Sequence, residues 1–177
     1  MLNLSKVSTG LSNKEFFDWE KRLKQALGED SYHAGIVLIG ANDPQGLYED
    51  KKLYKFPTPE WQKYYRKRVD TILRIFSEKK VRVYWVLLPP MGPTKYHRET
   101  RFLNEIFKEE TAKLGVTCVS LETVLGDENG KYSKFLPYRG RKTLMRADDD
   151  IHLTGAGARK MSRVLMKELY KDFVFEY

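Results

Sequence analysis

An acidic tract near the carboxyl end of the chain, Asp148-Asp149-Asp150-Ile151-His152, places a carboxylate three residues before a histidine. In serine and cysteine hydrolases an imidazole takes the nucleophile's proton, and a carboxylate orients the imidazole and stabilises its protonated form. Asp149 and His152 have the residue types and the spacing for these two roles. The alternative interpretation is an acidic loop that caps the following helix, with the histidine merely beside it.

A second candidate, Gly40-Ala41-Asn42-Asp43, follows the apolar run at residues 35–39. Such a run predicts a buried strand, and parallel sheets carry their chemistry just past the carboxyl ends of their strands. The side-chain amide of Asn42 could therefore donate a hydrogen bond to a developing oxyanion. Asp43 is expected to support the loop. The alternative is ordinary turn chemistry, since glycine, asparagine and aspartate all favour turns.

A third candidate is Gly10, at the end of an alternating segment that begins at Leu2. A glycine allows the backbone to approach a ligand closely, so the Gly10 N–H could be a second oxyanion donor. The alternative is a simple strand-to-helix turn in which Ser12 or Asn13 caps the helix.

In this order, the three motifs resemble the SGNH (GDSL-type) esterase and lipase superfamily. The resemblance extends over nearly the whole chain. Within the superfamily, the sequence resembles one bacterial branch that is classified as a domain of unknown function. The matching stretches are residues 8–11, 16–19, 40–45, 85–91 and 150–160. The resemblance implies an α/β fold, a three-layer αβα sandwich with a mainly parallel, flavodoxin-like sheet. It also implies His152 as base, Asp149 as its orienter, Gly10 and Asn42 in the oxyanion hole, and no cofactor or metal.

The nucleophile of that superfamily is the serine of a Gly-Asp-Ser motif at the end of the first strand, and no Gly-Asp-Ser occurs in the 177 residues. Gly28-Glu29-Asp30-Ser31 lies after the first predicted helix and does not match that position. The sequence begins at what would be the second strand, so we expect a chain truncated at its amino end. The serine then comes from outside these residues, or the activity is absent. An open sheet also predicts possible self-association.

Two functions are compatible with these motifs. The first is an ester hydrolase that acts through an acyl-serine on O-acyl or O-acetyl groups, with a small-molecule or polysaccharide ester, such as a cell-wall polymer, as substrate. The second is a non-catalytic module that binds glycan or another polyanion. The resemblance implies an extracytoplasmic location, either periplasmic or on the cell surface.

The composition predicts one globular domain over residues 1–177, with 41% apolar and 13% aromatic residues. No apolar run reaches the roughly 18 residues of a membrane span. A formal net charge of +8 favours anionic partners. We expect no nucleic acid as partner, because no nucleic-acid motif accompanies the charge. The single Cys118 is expected to be a packing residue, and three histidines with one cysteine form no zinc pattern.

Apolar stretches alternating with amphipathic patterns predict strands alternating with helices. Strands are predicted at residues 2–7, 36–39, 81–88 and 116–121. Helices are predicted at residues 13–27, from the Thr58-Pro59 cap, at about residues 98–114, and after Thr154. Two long loops, at residues 43–57 and 126–147, should border the site. Their aromatic and arginine side chains either hold a sugar or a polyanionic glycan, or pack beneath the loops.

Overall fold

The computed structural model describes residues 1–174 of the chain. These residues form two compact units. Unit 1 consists of Met1–Val86 and Leu103–Cys118, and unit 2 consists of Leu87–Phe102 and residues 119–174. Each unit is formed by two separate stretches of the chain. That the two units make one functional domain stays a prediction.

Helices and strands alternate along much of the chain. The helices within residues 1–174 are α1 (Trp19–Glu29), α2 (Pro59–Glu78), α3 (Thr94–Lys113), α4 (Glu122–Leu125) and α5 (Gly155–Leu169). The strands are β1 (Ala34–Val37), β2 (Leu47–Glu49), β3 (Lys52–Tyr54), β4 (Arg82–Val86), β5 (Thr117–Val119), β6 (Phe135–Tyr138) and β7 (Arg141–Leu144). No helix among the described residues has the length and apolarity needed to cross a bilayer.

A sheet with the order β1-β4-β5 organises unit 1. Strands β1 and β4 pair in parallel, with Ala34 opposite Arg82 and Val37 opposite Trp85. Four of the five residues of the central strand β4 are buried, as expected for a strand with a partner on each edge and apolar layers on both faces. Helix α2 packs against β4, and its own inward face, which includes Trp61 and Val69, is fully buried. The predicted mixed α/β class with a parallel sheet is confirmed.

The caps explain where the helices begin. The Thr58 hydroxyl accepts a hydrogen bond from the Trp61 N–H at 3.3 Å, which confirms the predicted start of α2. Helix α1, in contrast, begins at Trp19 and not at the predicted residue 13. The Asn13 side chain accepts from the Phe16 N–H and closes a turn that is separate from the helix, whereas Asp18 caps α1. A single capping side chain therefore does not identify a helix start when a second one follows within a turn or two.

The predicted strand at residues 2–7 is wrong. This segment forms no strand in the described structure, and Leu2 and Val7 are 43% and 87% exposed. An alternating pattern stabilises a strand only where one face is buried against a neighbour, and these apolar side chains have no such surface. The other three predicted strands exist. Strand β1 begins and ends two residues before the predicted range, and β4 and β5 are shorter than predicted.

Both predicted long loops contain a β-hairpin. Strand β2 pairs with β3, and β6 pairs with β7, both antiparallel. Each turn holds two residues with positive φ, as type I′ turns require: 49° and 62° at Asp50-Lys51, and 53° and 75° at Arg139-Gly140. Neither pair is the Asn-Gly or Asp-Gly that signals this turn in a sequence, so the hairpins were not predicted.

Candidate active site

Asp149 and His152 form a direct pair in unit 2. The Asp149 Oδ2 atom lies 2.5 Å from Nδ1 of His152. The other carboxylate oxygen, Oδ1, accepts hydrogen bonds from the backbone N–H groups of Ile151 and His152, each at 2.9 Å. Three donors therefore hold the carboxylate in one orientation.

The pair has the electronic arrangement of a general base with its orienter. The hydrogen bond from His152, with those from the backbone N–H groups, holds the pKa of Asp149 far below its ordinary value, so the carboxylate is ionised. An ionised carboxylate at Nδ1 favours the tautomer with the proton on Nδ1, which leaves the Nε2 lone pair to accept a proton. The side chain of His152 is 79% exposed and thus accessible to a substrate.

Arg146 lies beneath this pair and was missed in the sequence. It is completely buried, and its guanidinium donates to the carbonyl oxygens of Ile151 at 2.9 Å and Pro90 at 2.6 Å. Burial lowers the pKa of this guanidinium. The guanidinium therefore ties the Asp-x-x-His loop to the turn that follows β4. A basic residue two positions before an acidic tract reads as a solvated charge, so no sequence signal marks it.

Asp150, the residue after Asp149, anchors the loop from the other side. Its Oδ1 accepts from the Tyr132 hydroxyl at 2.7 Å and lies 3.2 Å from Nζ of Lys134. Burial and the contact with Asp150 raise the pKa of Tyr132 to about 12. The Gly92 N–H donates to the Asp150 carbonyl at 3.0 Å, and a side chain at Gly92 would collide with Asp150. The three aspartates of the tract thus differ in role, and Asp150 is structural.

The Asn42 amide lies in unit 1, after β1. Its Nδ2 donates to the Thr9 carbonyl oxygen at 3.0 Å. A side-chain amide has two N–H groups, and the second has no hydrogen-bond partner among residues 1–174. Asn42 therefore retains one donor for a ligand while the other fixes its orientation.

Gly10 and Asp43 are in contact in the same unit. A Cβ added at Gly10 would lie 2.1 Å from Oδ1 of Asp43, so only glycine fits there. Gly10 is a buried residue, and its N–H has no hydrogen-bond partner within the described part of the chain. A backbone donor without a partner is what an oxyanion site requires.

The Asp43 carboxylate is the centre of this cluster and is fully buried. Its two oxygens accept from the Ser12 N–H at 2.7 Å and from the Tyr65 hydroxyl at 2.6 Å. Burial and the neighbouring carboxylate raise the pKa of Tyr65 well above its ordinary value. The buried Arg68 guanidinium donates to the carbonyls of Leu11 and Ser12. Tyr65 and Arg68, both on α2, were not predicted to contribute, because a helical aromatic or arginine normally reads as core or surface.

The predicted site residues thus form two clusters. Gly10, Asn42 and Asp43 lie together in unit 1, and Asp149 and His152 lie together in unit 2. No group of three His, Cys, Asp or Glu side chains within residues 1–174 has the arrangement of a metal site. An open groove of about 710 Å³ on unit 1, between α2 and the end of α3, contains none of the predicted site residues.

The matching family is described as "Protein of unknown function (DUF459)", and its sequence profile matches residues 1–168. No curated protein is significantly similar in sequence.

Solved structures that are similar to this chain include proteins from three bacteria. A GDSL-like lipase from Bacteroides thetaiotaomicron VPI-5482 has a TM-score of 0.64 at 14% identity, over 94% of this chain and 73% of its own. A psychrotrophic esterase from Pseudoalteromonas sp. has a TM-score of 0.62 at 11% identity, over 96% and 78%. A carbohydrate acetylesterase from Sinorhizobium meliloti has a TM-score of 0.63 at 16% identity, over 94% and 75%.

At these identities the likeness concerns the fold, and it agrees with the fold class that the motifs predicted. The profile match covers all but the last few residues. The chain therefore belongs to the family described as "Protein of unknown function (DUF459)" and has the fold of the SGNH (GDSL-like) hydrolases.

Proposed function

We propose that this protein is an ester hydrolase of the SGNH type that acts through an acyl-serine, with residues 1–177 as one functional domain. The observation that carries the proposal is the pair of Asp149 Oδ2 and His152 Nδ1 at 2.5 Å, with an exposed imidazole beside it. A carboxylate that three donors hold beside an accessible histidine is an arrangement that seldom arises without a functional role. It matches the needs of general-base catalysis.

In the proposed reaction, Nε2 of His152 takes the proton of a serine hydroxyl while the serine oxygen attacks the ester carbonyl carbon. The carbonyl oxygen becomes an oxyanion, which the Asn42 amide and the Gly10 N–H stabilise. The imidazolium then protonates the leaving alcohol, and Asp149 stabilises its positive charge. A water molecule, deprotonated by the same nitrogen, hydrolyses the acyl-serine and restores the enzyme. No cofactor takes part.

The attacking serine is not assigned, because Gly-Asp-Ser does not occur in the 177 residues. The substrate is proposed to be an O-acyl, above all O-acetyl, group on a carbohydrate or cell-wall polymer. The fold that the chain shares with a carbohydrate acetylesterase from Sinorhizobium meliloti supports this substrate class.

The test is labelling with a fluorophosphonate, which reacts with activated serines, on the wild-type chain and on His152→Ala. The modified peptide is located by mass spectrometry. A single serine that is labelled in the wild type and not in the variant would identify a nucleophile within these residues and support the proposal. A label that is equal in both, or absent from a folded wild-type chain, would overturn the proposal for these residues.

The second candidate is a glycan-binding module without turnover. The missing Gly-Asp-Ser motif favours it, since binding needs no nucleophile. The two candidates are separated by an acetylated glycan probe: an esterase releases acetate in a manner that depends on His152, whereas a binding module retains the probe unchanged and tolerates His152→Ala.

A further inference from the structure

The chain on either side of the Asp149–His152 pair carries basic residues without acidic ones. Residues 131–146 contain six lysines and arginines and no aspartate or glutamate. Residues 155–167, in α5, contain four lysines and arginines and again no acid. Elsewhere the two signs alternate. Uncompensated positive charge in unit 2 is thus concentrated around the β6–β7 hairpin and in α5.

Four of these cations define a basic hairpin surface: Arg139, Arg141, Lys142 and Arg163. All four are exposed, and none forms an ion pair with a carboxylate within residues 1–174. On α2 the arginines are paired instead, for example Arg66 with Glu109 and Glu110. The charge of the basic hairpin surface is therefore not compensated within the described chain, and it creates a local positive potential.

Aromatic rings contact three of these four cations. The Arg139 and Arg163 guanidinium carbons lie 5.7 Å and 5.1 Å from the centre of the Tyr138 ring. Lys142 Nζ lies 5.6 Å from the centre of the Phe135 ring, which belongs to a 43% exposed residue. A ring orients a cation without neutralising its charge, so each group is positioned but still able to bind an anion.

The turn of the hairpin places an arginine in an unusual backbone conformation. Arg139 has a φ of 53°, in the left-handed region where asparagine, aspartate and glycine are the common residues. Neighbouring Gly140 has a φ of 75°. A long cationic side chain at this position gains nothing for the turn itself.

Hydrogen bonds connect the hairpin directly to the histidine loop. The Thr154 hydroxyl, two residues after His152, donates to the Leu144 carbonyl at 2.7 Å. The Thr154 N–H donates to the Met145 carbonyl, and the Met145 N–H donates to the Lys134 carbonyl, each at 2.9 Å. Four-residue strands extend only about 13 Å from this base. A polymer held at the hairpin is therefore near His152.

We propose that the substrate is an acidic glycan, and that the basic hairpin surface binds its carboxylate groups while an ester on the same polymer reaches His152. This inference rests on the proposed esterase function. Arginine side chains form forked hydrogen bonds with carboxylates, and the exposed Phe135 ring offers a flat surface to a sugar. A lipid surface fits less well: the exposed apolar pair Phe135 and Leu144 lies at the base of the hairpin, while the tip carries charges.

The experiment measures binding of the full chain to de-esterified polygalacturonate, which has the carboxylates but no ester to hydrolyse. The test variant is Arg139→Asn/Arg141→Gln/Lys142→Gln, in which asparagine suits the left-handed turn. The matched control is Lys63→Gln/Lys67→Gln/Lys79→Gln, which removes three exposed lysines from α2 and its end. Both variants lower the formal net charge of +8 by three, so an effect of net charge alone would be the same in both.

We expect the hairpin variant to bind at least about tenfold more weakly than the wild type at about 0.15 M salt. The control should bind within about twofold of the wild type, since distant exposed charges are largely screened. Acetylated xylan, a neutral glycan, should bind much more weakly to all three proteins. Circular dichroism confirms that the variants are folded.

Equal losses in the two variants would overturn the proposal, because net charge alone would then explain binding. Tighter binding to neutral xylan, to DNA or to anionic phospholipid vesicles than to polygalacturonate would overturn it as well. The esterase proposal is tested separately. If fluorophosphonate labelling fails while hairpin-dependent binding of polygalacturonate persists, the esterase function is wrong and acidic-glycan binding stands.

Discussion

The Arg146 guanidinium donates a 2.9 Å hydrogen bond to the carbonyl oxygen of Ile151, the residue directly before His152. The same group donates to Pro90, so one buried side chain holds both the histidine loop and the turn after β4. Arg146 is a positioning residue: it acts on the imidazole through the backbone that carries it.

We expect Arg146→Met, which conserves much of the volume, to lower the free energy of unfolding by roughly 2 kcal/mol, because the buried Pro90 carbonyl and the partly buried Ile151 carbonyl lose a donor. Urea unfolding measures this. Arg74→Met is the control, since Arg74 is 61% exposed and, within residues 1–174, pairs only with Asp70. Its loss should cost less than about 1 kcal/mol. Equal effects of the two substitutions would contradict the role of Arg146.

Gly10→Ala should destabilise the protein by about 1–3 kcal/mol, because its Cβ would lie 2.1 Å from the buried carboxylate of Asp43. Gly28→Ala is the control. Gly28 lies in α1, where an added Cβ meets nothing within 4 Å, so alanine should stabilise by about 0.5–1 kcal/mol. Thermal unfolding of both variants checks the opposite signs. A tolerated Gly10→Ala would show that Asp43 is free to move.

Tyr65→Phe tests how much the Tyr65 hydroxyl stabilises the buried carboxylate of Asp43. The substitution removes a fully buried hydroxyl that donates to Asp43 at 2.6 Å. A buried carboxylate oxygen then lacks its donor, which should cost about 1–3 kcal/mol of unfolding free energy. Tyr48→Phe serves as control, because Tyr48 is 48% exposed and should change stability by less than about 0.5 kcal/mol. Chemical denaturation measures the unfolding free energy of both variants. Equal losses in Tyr65→Phe and Tyr48→Phe would argue against a structural role for this hydrogen bond.

The stability contribution of Asp149 should depend on pH. Its pKa is held below the ordinary value of 3.8, mainly by the hydrogen bond from His152 and then by two backbone N–H groups. The folded state therefore favours the carboxylate, which stabilises the fold above the unfolded pKa and loses this effect as the pH falls through the folded pKa.

The difference in unfolding free energy between the wild type and Asp149→Asn should be largest above about pH 5 and shrink progressively below pH 3.8. Urea unfolding over this pH range measures it. Asp148→Asn is the control, since Asp148 is fully exposed and lies 3.6 Å from Lys134. A difference that stays constant down to strongly acidic pH would show that the Asp149 carboxylate gains nothing from its three donors.

Local sequence patterns predicted the elements that depend on neighbours along the chain. The Thr58 cap and the amphipathic face of α2 need only residues within a few turns, and both are confirmed. The parallel strands β1 and β4 were recognised because a strand buried on both faces is apolar throughout. The turn at Arg139-Gly140 was not predicted from the sequence, because arginine rarely adopts the positive φ that this turn requires.

By itself the sequence determined the Asp-x-x-His pair, because a carboxylate and an imidazole three residues apart meet within one loop turn. It also indicated the family, through short motifs in a set order. Only the tertiary structure decided which buried groups hold those motifs. Arg146 reaches Pro90 across 56 residues, and Tyr65 reaches Asp43 across 22. Such contacts depend on how distant segments pack. The type of a residue does not indicate which distant residue it will contact in the folded chain.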